Sequence, residues 1–257
     1  MTHNHEFVRT RAEDGVLHVE LNRPQVLNAL HAPAHEELAA VFDSFEQDAN
    51  LRVAIVSGSG RAFCSGNDLK WQAAGGSMAR PDTGFAGLTL RHSRTKPVIA
   101  SVHGEAFGGG CEIVLAADLA IAAEGARFGL TEVRYGLVPL AGVHLLPRRV
   151  GRKDAMWMLL TGRVIPAKEA HRIGLINEVV PADKLADRTA EVARWIVGAS
   201  PQAISACMEM VQEGLRVDDV AEAMSAPSAA LDRLRASEDF LEGPKAFAEG
   251  RKPQWKA

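Results

Sequence analysis

The chain has 257 residues and a formal net charge of −3, and 47% of its residues are hydrophobic. This composition is ordinary for a globular protein, and a chain of this length buries about three-quarters of its unfolded surface without disulfides or metals. The slightly negative charge disfavours nucleic acid as a partner. No apolar run reaches the length of a membrane span, so no membrane interaction is predicted either.

The cysteines and the first residues predict where the protein works. Cys64, Cys111 and Cys207 are odd in number and form no CxxC pair, a pattern typical of a reducing compartment without disulfides or zinc knuckles. The first residues, MTHNHEFVRT, contain no apolar signal region. We therefore predict a cytoplasmic protein.

The first part of the chain alternates strand patterns with helix patterns. GVLHVELNRP (15–24) alternates apolar and polar residues and predicts a half-buried strand, whereas APAHEELAAVFDSFEQD (32–48) has the apolar spacing of an amphipathic helix. Further strands are predicted in RVAIVSGSG, KPVIASVHG, DLAIAAEG and INEVVP, and further helices after Gly110 and in AKEAHRIGL. This alternation predicts an α/β core of βα units around a buried sheet.

After Pro181 the pattern becomes helical. The helical segments are ADKLADRTAEVARWIVGAS, PQAISACMEMVQEGL, VDDVAEAMSAPSAALDRL and SEDFLEGPKAFAEG. We therefore divide the chain into an α/β core, residues 1–181, and a helical C-terminal region, residues 182–257. Residues 73–87, AAGGSMARPDTGFAG, are rich in glycine and small residues and predict a flexible loop beside the site.

Two glycine-interrupted turns are candidates for binding negative charge. The strand PVIASVHG (97–104) is predicted to lead through the three glycines of GEAFGGGCEIVLAAD (104–118) into a helix, whose first N–H groups lack internal partners and lie at the positive end of its dipole. Such a turn holds a phosphate or a developing oxyanion. GRAFCSGNDLKW (60–71) contains a second such turn at Gly66-Asn67-Asp68. Neither turn fits GxGxxG, GxxxxGK[ST] or GxSxG, which disfavours nucleotide binding and serine hydrolysis of the usual kinds.

Two glutamates accompany these turns. Glu112 is the only charged residue from Cys111 to Ala117, so its carboxylate is expected to be buried at a cost in hydration. Glu132 lies in RFGLTEVRYG, where Thr131 is predicted to cap a short helical turn and Gly136 to end it. If both glutamates face one cavity, they can serve as the acid and the base of a reaction there. From spacing alone, it is equally consistent that Glu112 only interacts favourably with the helix dipole, and that Glu132 is an ordinary surface residue.

Taken together, these motifs resemble the crotonase, or enoyl-CoA hydratase/isomerase, superfamily. The resemblance rests on AFCSGNDLK and GEAFGGGCEIVLAADLAIAAEGARFGLTEVRYGLVP, and it extends to LNRPQVLNAL and LTGRVIPAKEAHRIGLINEVVP. The tail SEDFLEGPKAFAEGRKPQWK, with TGFAGL, is most similar to the carnitinyl-CoA dehydratase branch. The resemblance implies a crotonase-like α/β fold, with ββα units around a spiral core and a C-terminal helical region for trimerisation and as a lid.

The resemblance also implies a mechanism. The backbone N–H groups of Asn67 and Gly109 would form an oxyanion hole for the thioester carbonyl of an acyl-CoA. Glu112 and Glu132 correspond to the two glutamates with which hydratases hold a water and add it across the α,β double bond. In the family the counterpart of Glu132 usually supplies the α-proton, while the counterpart of Glu112 helps to activate the water.

Further implications concern the ligand and the assembly. CoA would lie along the backbone near Val26, Ala62, Ser65, Gly66, Asp68 and Leu69. It is part of the substrate, so no metal and no separate cofactor is expected. A homotrimer or a dimer of trimers is implied. Leu140 is a departure, because it replaces a family glycine whose N–H helps to hold the water.

The leading hypothesis is therefore an acyl-CoA hydratase or dehydratase, a hydro-lyase, with a carnitinyl-CoA dehydratase-like enzyme as one form of it. Enoyl-CoA isomerases and acyl-CoA hydrolases of this fold commonly dispense with one glutamate, so the presence of both disfavours these activities. A non-enzymatic RNA-binding family member is an alternative of a different class. Those members carry a lysine-rich helix, whereas HEELAAVFDSFEQD is acidic.

Overall fold

The fold, described for residues 2–256 by a computed structural model, contains two sheets and eleven α-helices in that part of the chain. The strands are β1 (Thr2–Asn4), β2 (Val8–Glu13), β3 (Val16–Leu21), β4 (Val53–Gly58), β5 (Val98–Val102), β6 (Glu105–Phe107), β7 (Leu119–Ala123), β8 (Arg127–Gly129), β9 (Val164–Pro166) and β10 (Glu178–Val180). The helices are α1 (Ala32–Gln47), α2 (Leu69–Ala73), α3 (Gly109–Ala116), α4 (Gly142–Arg149), α5 (Arg152–Thr161), α6 (Ala167–Arg172), α7 (Leu185–Val197), α8 (Pro201–Gly214), α9 (Val220–Ser225), α10 (Ala229–Ala236) and α11 (Asp239–Ala248).

The larger sheet has seven strands in the order β1-β2-β3-β4-β5-β7-β10. Its first three strands are antiparallel, and from β3 to β10 every neighbouring pair is parallel. Parallel strands are usually covered on both faces, which explains why β5 is buried along its whole length. A smaller sheet of β6, β8 and β9 lies beside it and carries the start of α3. The predicted α/β class is confirmed.

Helices cover both faces of the larger sheet. The main core cluster joins this sheet to α1 and α3, with Phe42 and Phe45 among its fully buried side chains. On the opposite face, Leu185 and Ala193 of α7 pack against β-strand residues in two smaller clusters. Helix α7, the first α-helix after residue 181, therefore packs directly against the sheet. The division at residue 181 stays a prediction.

Two sequence predictions need correction. The segment 217–234 does not form continuous helix, because Pro227 has no N–H to donate and Ser228 instead caps α10 by accepting from Leu231 N–H at 3.3 Å.

The loop 73–87 does lie beside the site, but its C-terminal end is held in place by burial and by a hydrogen bond. Phe85 is only 1% exposed, and the Ala86 N–H donates to Nδ1 of His35 at 3.1 Å. Within residues 2–256, no helix combines the length and the hydrophobicity that crossing a bilayer requires.

Candidate active site

The two predicted turns open on the same cavity, which has a volume of 770 Å³. Gly108, with φ of 53°, turns the chain from β6 into α3, and Gly66, with φ of 97°, forms the neighbouring turn. A Cβ atom added to Gly66 would lie 3.0 Å from the backbone nitrogen of Gly109. This close approach places Asn67 and Gly109 on one cavity wall.

The N–H groups of Asn67 and Gly109 are free within residues 2–256, where neither donates to an acceptor. Gly109 is the first residue of α3, so its N–H lies at the positive end of the helix dipole. Two unpaired donors on one wall, one of them at a helix start, can stabilise negative charge that develops on a ligand oxygen.

Glu112 lies one turn into α3, and its side chain is held by the start of α4. It is 2% exposed, and its Oε1 accepts hydrogen bonds from the N–H groups of Ala141 and Gly142, both at 2.8 Å. Burial raises the pKa of the Glu112 carboxyl, while these two N–H groups act in the opposite direction. The result is a carboxyl group fixed in place and able to bind a proton more readily than one in water.

Glu132 faces the same cavity from a short 3-10 helix, Glu132–Tyr135. Gly136 ends this helix with φ of 71°, as predicted, but the side chain of Thr131 makes no capping hydrogen bond, so that part of the prediction is wrong. A Cβ on Gly108 would lie 3.2 Å from Oε1 of Glu132, and Oε2 is buried without a hydrogen-bond partner in the described residues. Burial, followed by the nearby charge of Glu112, raises the pKa of Glu132 to about 7.

Some of the residues predicted to lie along CoA line the cavity, and others do not. Val26, Ser65, Asp68, Leu69 and Leu140 line the cavity.

Ala62 and Gly66 are not among the residues lining the cavity, although their neighbours Arg61 and Ser65 are. Ala62 is 1% exposed, and its carbonyl accepts a hydrogen bond from the Asn28 side chain at 2.8 Å. Their roles in binding CoA stay predictions.

Asp68 has structural bonds of its own. Its carboxylate accepts from the Trp71 N–H at 3.1 Å, which caps α2, and lies 3.0 Å from Arg23. Burial acts to raise the pKa of Asp68, but these two partners outweigh it and hold the pKa below its ordinary value. The side chain of Asp68 therefore stabilises the turn through these two contacts.

Several cavity residues were not predicted from the sequence. The segment between α2 and β5 contributes Met78, Arg80 and Phe85. A glycine-rich loop carries no periodic pattern that would mark the side chains turned toward a site. Only their position beside the predicted turns could have drawn attention to them.

Comparisons with known proteins agree with this geometry. The enoyl-CoA hydratase/isomerase family profile matches residues 11–257. A carnitinyl-CoA dehydratase of Proteus mirabilis is 43% identical, with 94% of this chain and 95% of the relative covered. A mevalonyl-coenzyme A hydratase of Beauveria bassiana is 40% identical, with 94% and 91% covered.

Solved structures give the same result. The crystal structure of an enoyl-CoA hydratase from Mycobacterium tuberculosis is 37% identical and superposes with a TM-score of 0.90, with 98% of this chain and 99% of that chain covered. The crotonase-like fold predicted from the sequence is thereby confirmed. The chain belongs to the enoyl-CoA hydratase/isomerase family.

Proposed function

We propose that this protein adds water across the double bond of an α,β-unsaturated acyl-CoA thioester, or removes water to form it. One observation carries the proposal: two glutamates, one of them deeply buried, face a single cavity together with two backbone N–H groups that have no acceptor within residues 2–256. Relatives named as a dehydratase and a hydratase of acyl-CoA compounds support the same reaction class.

The thioester carbonyl oxygen would accept hydrogen bonds from the N–H groups of Asn67 and Gly109. These donors draw electrons away from the β-carbon and stabilise the enolate that forms when a nucleophile attacks it. One such donor typically contributes about 2.7–4 kcal/mol to transition-state stabilisation. The dipole of α3 acts in the same direction.

The two glutamates would share the proton transfers. In hydration, ionised Glu112 takes a proton from water as its oxygen bonds to the β-carbon, and protonated Glu132 delivers a proton to the α-carbon. Dehydration reverses both steps. The carboxyls act on each other, so their proton affinities belong to the pair.

CoA would lie along Val26, Ser65 and Leu69, with the segment around Ala62 and Gly66 behind it. Because CoA is part of the substrate, we expect no resident cofactor. A reducing, cytoplasmic location fits the buried thiols of Cys64 and Cys111, whose pKa values burial raises.

The reaction is tested by incubating the purified protein with crotonyl-CoA and other enoyl-CoA thioesters. We expect the absorbance of the conjugated enoyl thioester to disappear and the product to gain the mass of one water. Unchanged mass with a moved double bond would indicate an isomerase, and free CoA would indicate a hydrolase. No change with any acyl group would contradict the proposal.

We further propose that the protein is a homotrimer or a dimer of trimers. Large apolar side chains of the C-terminal helices are exposed in the single chain, among them Met224 at 84% and Phe247 at 90%. Surfaces of this kind mark protein–protein contacts. Sedimentation equilibrium should give three or six times the chain mass, and a monomer at micromolar concentration would contradict this proposal.

A further inference from the structure

Arg80 is a half-buried cation on the cavity wall, and within residues 2–256 it makes neither an ion pair nor a hydrogen bond. Two other partly buried arginines, by contrast, are paired: Arg23 lies 3.0 Å from Asp68, and Arg94 lies 3.1 Å from Asp118. The N–H donors of Arg80 are therefore available to a ligand.

Arg80 is held at the reacting end of the cavity by an aromatic ring. Its guanidinium carbon lies 5.3 Å from the centroid of Phe85, a cation–π contact. Phe85 in turn touches Gly109 so closely that a Cβ added there would lie 2.3 Å from the ring. A single ring thus separates the guanidinium from the proposed oxyanion donor.

The charge of Arg80 reaches both glutamates without pairing with either. Burial raises the pKa of Glu112 and of Glu132, and the positive charge of Arg80 acts against this rise at both sites. Within residues 2–256 no carboxylate oxygen lies within 4.0 Å of the Arg80 guanidinium, so Arg80 does not orient either glutamate through an ion pair. It lines the same cavity as both glutamates and keeps its donors for a ligand.

Two further cations line the same cavity. Arg61 and Lys70, both exposed, flank the turn along which CoA is proposed to lie. They are placed to meet the phosphates of CoA. The cavity that Arg80 lines also has apolar side chains, among them Met78 and Leu140. A guanidinium binds a carboxylate well, because two parallel N–H···O bonds match its planar shape.

We propose that Arg80 selects acyl groups that carry a carboxylate beyond the α,β double bond. This inference rests on the proposed hydration of enoyl-CoA thioesters. The preferred substrates would be mono-CoA thioesters of unsaturated dicarboxylic acids, or the 3-hydroxy acids that dehydrate to them. The same guanidinium repels an acyl group that carries a cation at that position.

Three enoyl thioesters that differ only at the γ-carbon test this selection. Crotonyl-CoA carries hydrogen there, glutaconyl-CoA a carboxylate and crotonobetainyl-CoA a trimethylammonium cation. We expect kcat/KM to be highest for glutaconyl-CoA and lowest for crotonobetainyl-CoA. In Arg80→Met the preference for glutaconyl-CoA over crotonyl-CoA should fall by about 10- to 100-fold, the usual effect of losing a hydrogen bond to a charged group. Arg80→Lys should keep part of it.

Arg61→Gln is the matched control, since it removes a cation of the same cavity that lies in the turn along which CoA is proposed to bind. It should weaken all three substrates equally and leave their ratios unchanged. If Arg80→Met also lowers all three equally, Arg80 contacts the CoA portion and the proposal is overturned. It is overturned as well if the wild-type protein prefers the trimethylammonium substrate.

Binding measurements separate this proposal from the proposed reaction. The saturated thioesters glutaryl-CoA and butyryl-CoA cannot be hydrated, so their Kd values report recognition alone. We expect the wild-type protein to bind glutaryl-CoA more tightly by about 10-fold or more and Arg80→Met to lose this difference. Equal Kd values in the wild-type protein would overturn the role of Arg80 even if hydration occurs. A difference without any hydration would contradict only the reaction.

Discussion

Oε1 of Glu112 lies 2.8 Å from the backbone nitrogen of Gly142 and at the same distance from that of Ala141. Oε2 makes no hydrogen bond within residues 2–256. One oxygen therefore fixes the side chain while the other is left for a ligand. A glutamate serving only as a partner of the helix dipole would not need these bonds from a different segment of the chain.

Glu112→Gln should abolish most of the hydration activity and leave the binding of acyl-CoA almost unchanged. The amide oxygen can accept the same two hydrogen bonds, but the amide nitrogen that replaces Oε2 cannot accept a proton. Hydration of enoyl-CoA should fall by at least about 100-fold, within the range for losing a general base. The Kd of a saturated acyl-CoA should change by less than about threefold. Glu124→Gln, on the exposed surface, is the control, and turnover like that of the wild type in Glu112→Gln would rule out the assigned role.

The raised pKa of Glu132 predicts the same pH profile for both directions of the reaction. Hydration starts with a proton on Glu132 and dehydration with a proton on Glu112, so each direction needs one proton on the pair, and kcat/KM should fall in both directions as pH rises through about 7. Initial rates from pH 5 to pH 9 in both directions check this. Glu132→Gln should lose most of its turnover and the inflection near pH 7 together.

The same pKa shift predicts a change in stability. Because the folded protein binds the Glu132 proton more tightly than the unfolded chain, the free energy of unfolding falls as pH rises from 4.5 to about 7. Glu132→Gln removes this effect. At pH 8 the variant should therefore be more stable than the wild type by about 1–3 kcal/mol, and at pH 4 the difference should disappear. Urea unfolding at both pH values measures it, and a variant destabilised at pH 8 would contradict it.

Local patterns in the sequence predicted the parts of the fold in which neighbours along the chain decide the outcome. The apolar spacing of α1 and the β-branched run of β5 are examples. Strand β2 was missed, although its turn to β3 contains Asp14-Gly15, a common hairpin signal, with φ of 49° and 78°. The small sheet was also missed, because strands of three residues are too short for a period to be recognised.

The candidate site was predictable where chemistry depends on backbone turns. Glycine turns and an isolated charge, such as Gly109 and Glu112, can be recognised in the sequence. Arg80 and Phe85 form no recognisable pattern, because their positions depend on how an irregular loop folds over α1 and α3. The anchor of this loop, the Ala86 N–H bonded to His35, joins residues 51 positions apart. No local pattern encodes a contact of that span.

The contact between Gly109 and Phe85 predicts that even a methyl group will disturb the oxyanion hole. In Gly109→Ala the new Cβ would lie 2.3 Å from the Phe85 ring, so the ring or the start of α3 must move. Phe85 is 1% exposed and has little room, so we expect hydration to fall by about 100-fold or more. Gly109→Pro should be worse, because it also removes the N–H.

Two further variants make this prediction specific. Gly125→Ala adds a methyl group at an exposed turn with no atom within 4 Å of the new Cβ, so activity should not change. The double variant Gly109→Ala/Phe85→Leu creates space where the ring was and should recover part of the lost turnover. Full activity in Gly109→Ala alone would show that the N–H of Gly109 tolerates displacement and would remove it from the oxyanion hole.

Leu140 should limit the size of the acyl group. Its side chain lines the cavity and is 62% exposed, so removing it enlarges the pocket without opening a hole in the core. Leu140→Ala keeps the backbone N–H, and it should raise kcat/KM for six- and eight-carbon enoyl-CoA relative to crotonyl-CoA by about 3- to 10-fold, since each buried methylene contributes about 0.8 kcal/mol. Leu160→Ala, at an exposed site outside the cavity, is the control. An unchanged chain-length profile in Leu140→Ala would place the acyl group against another wall.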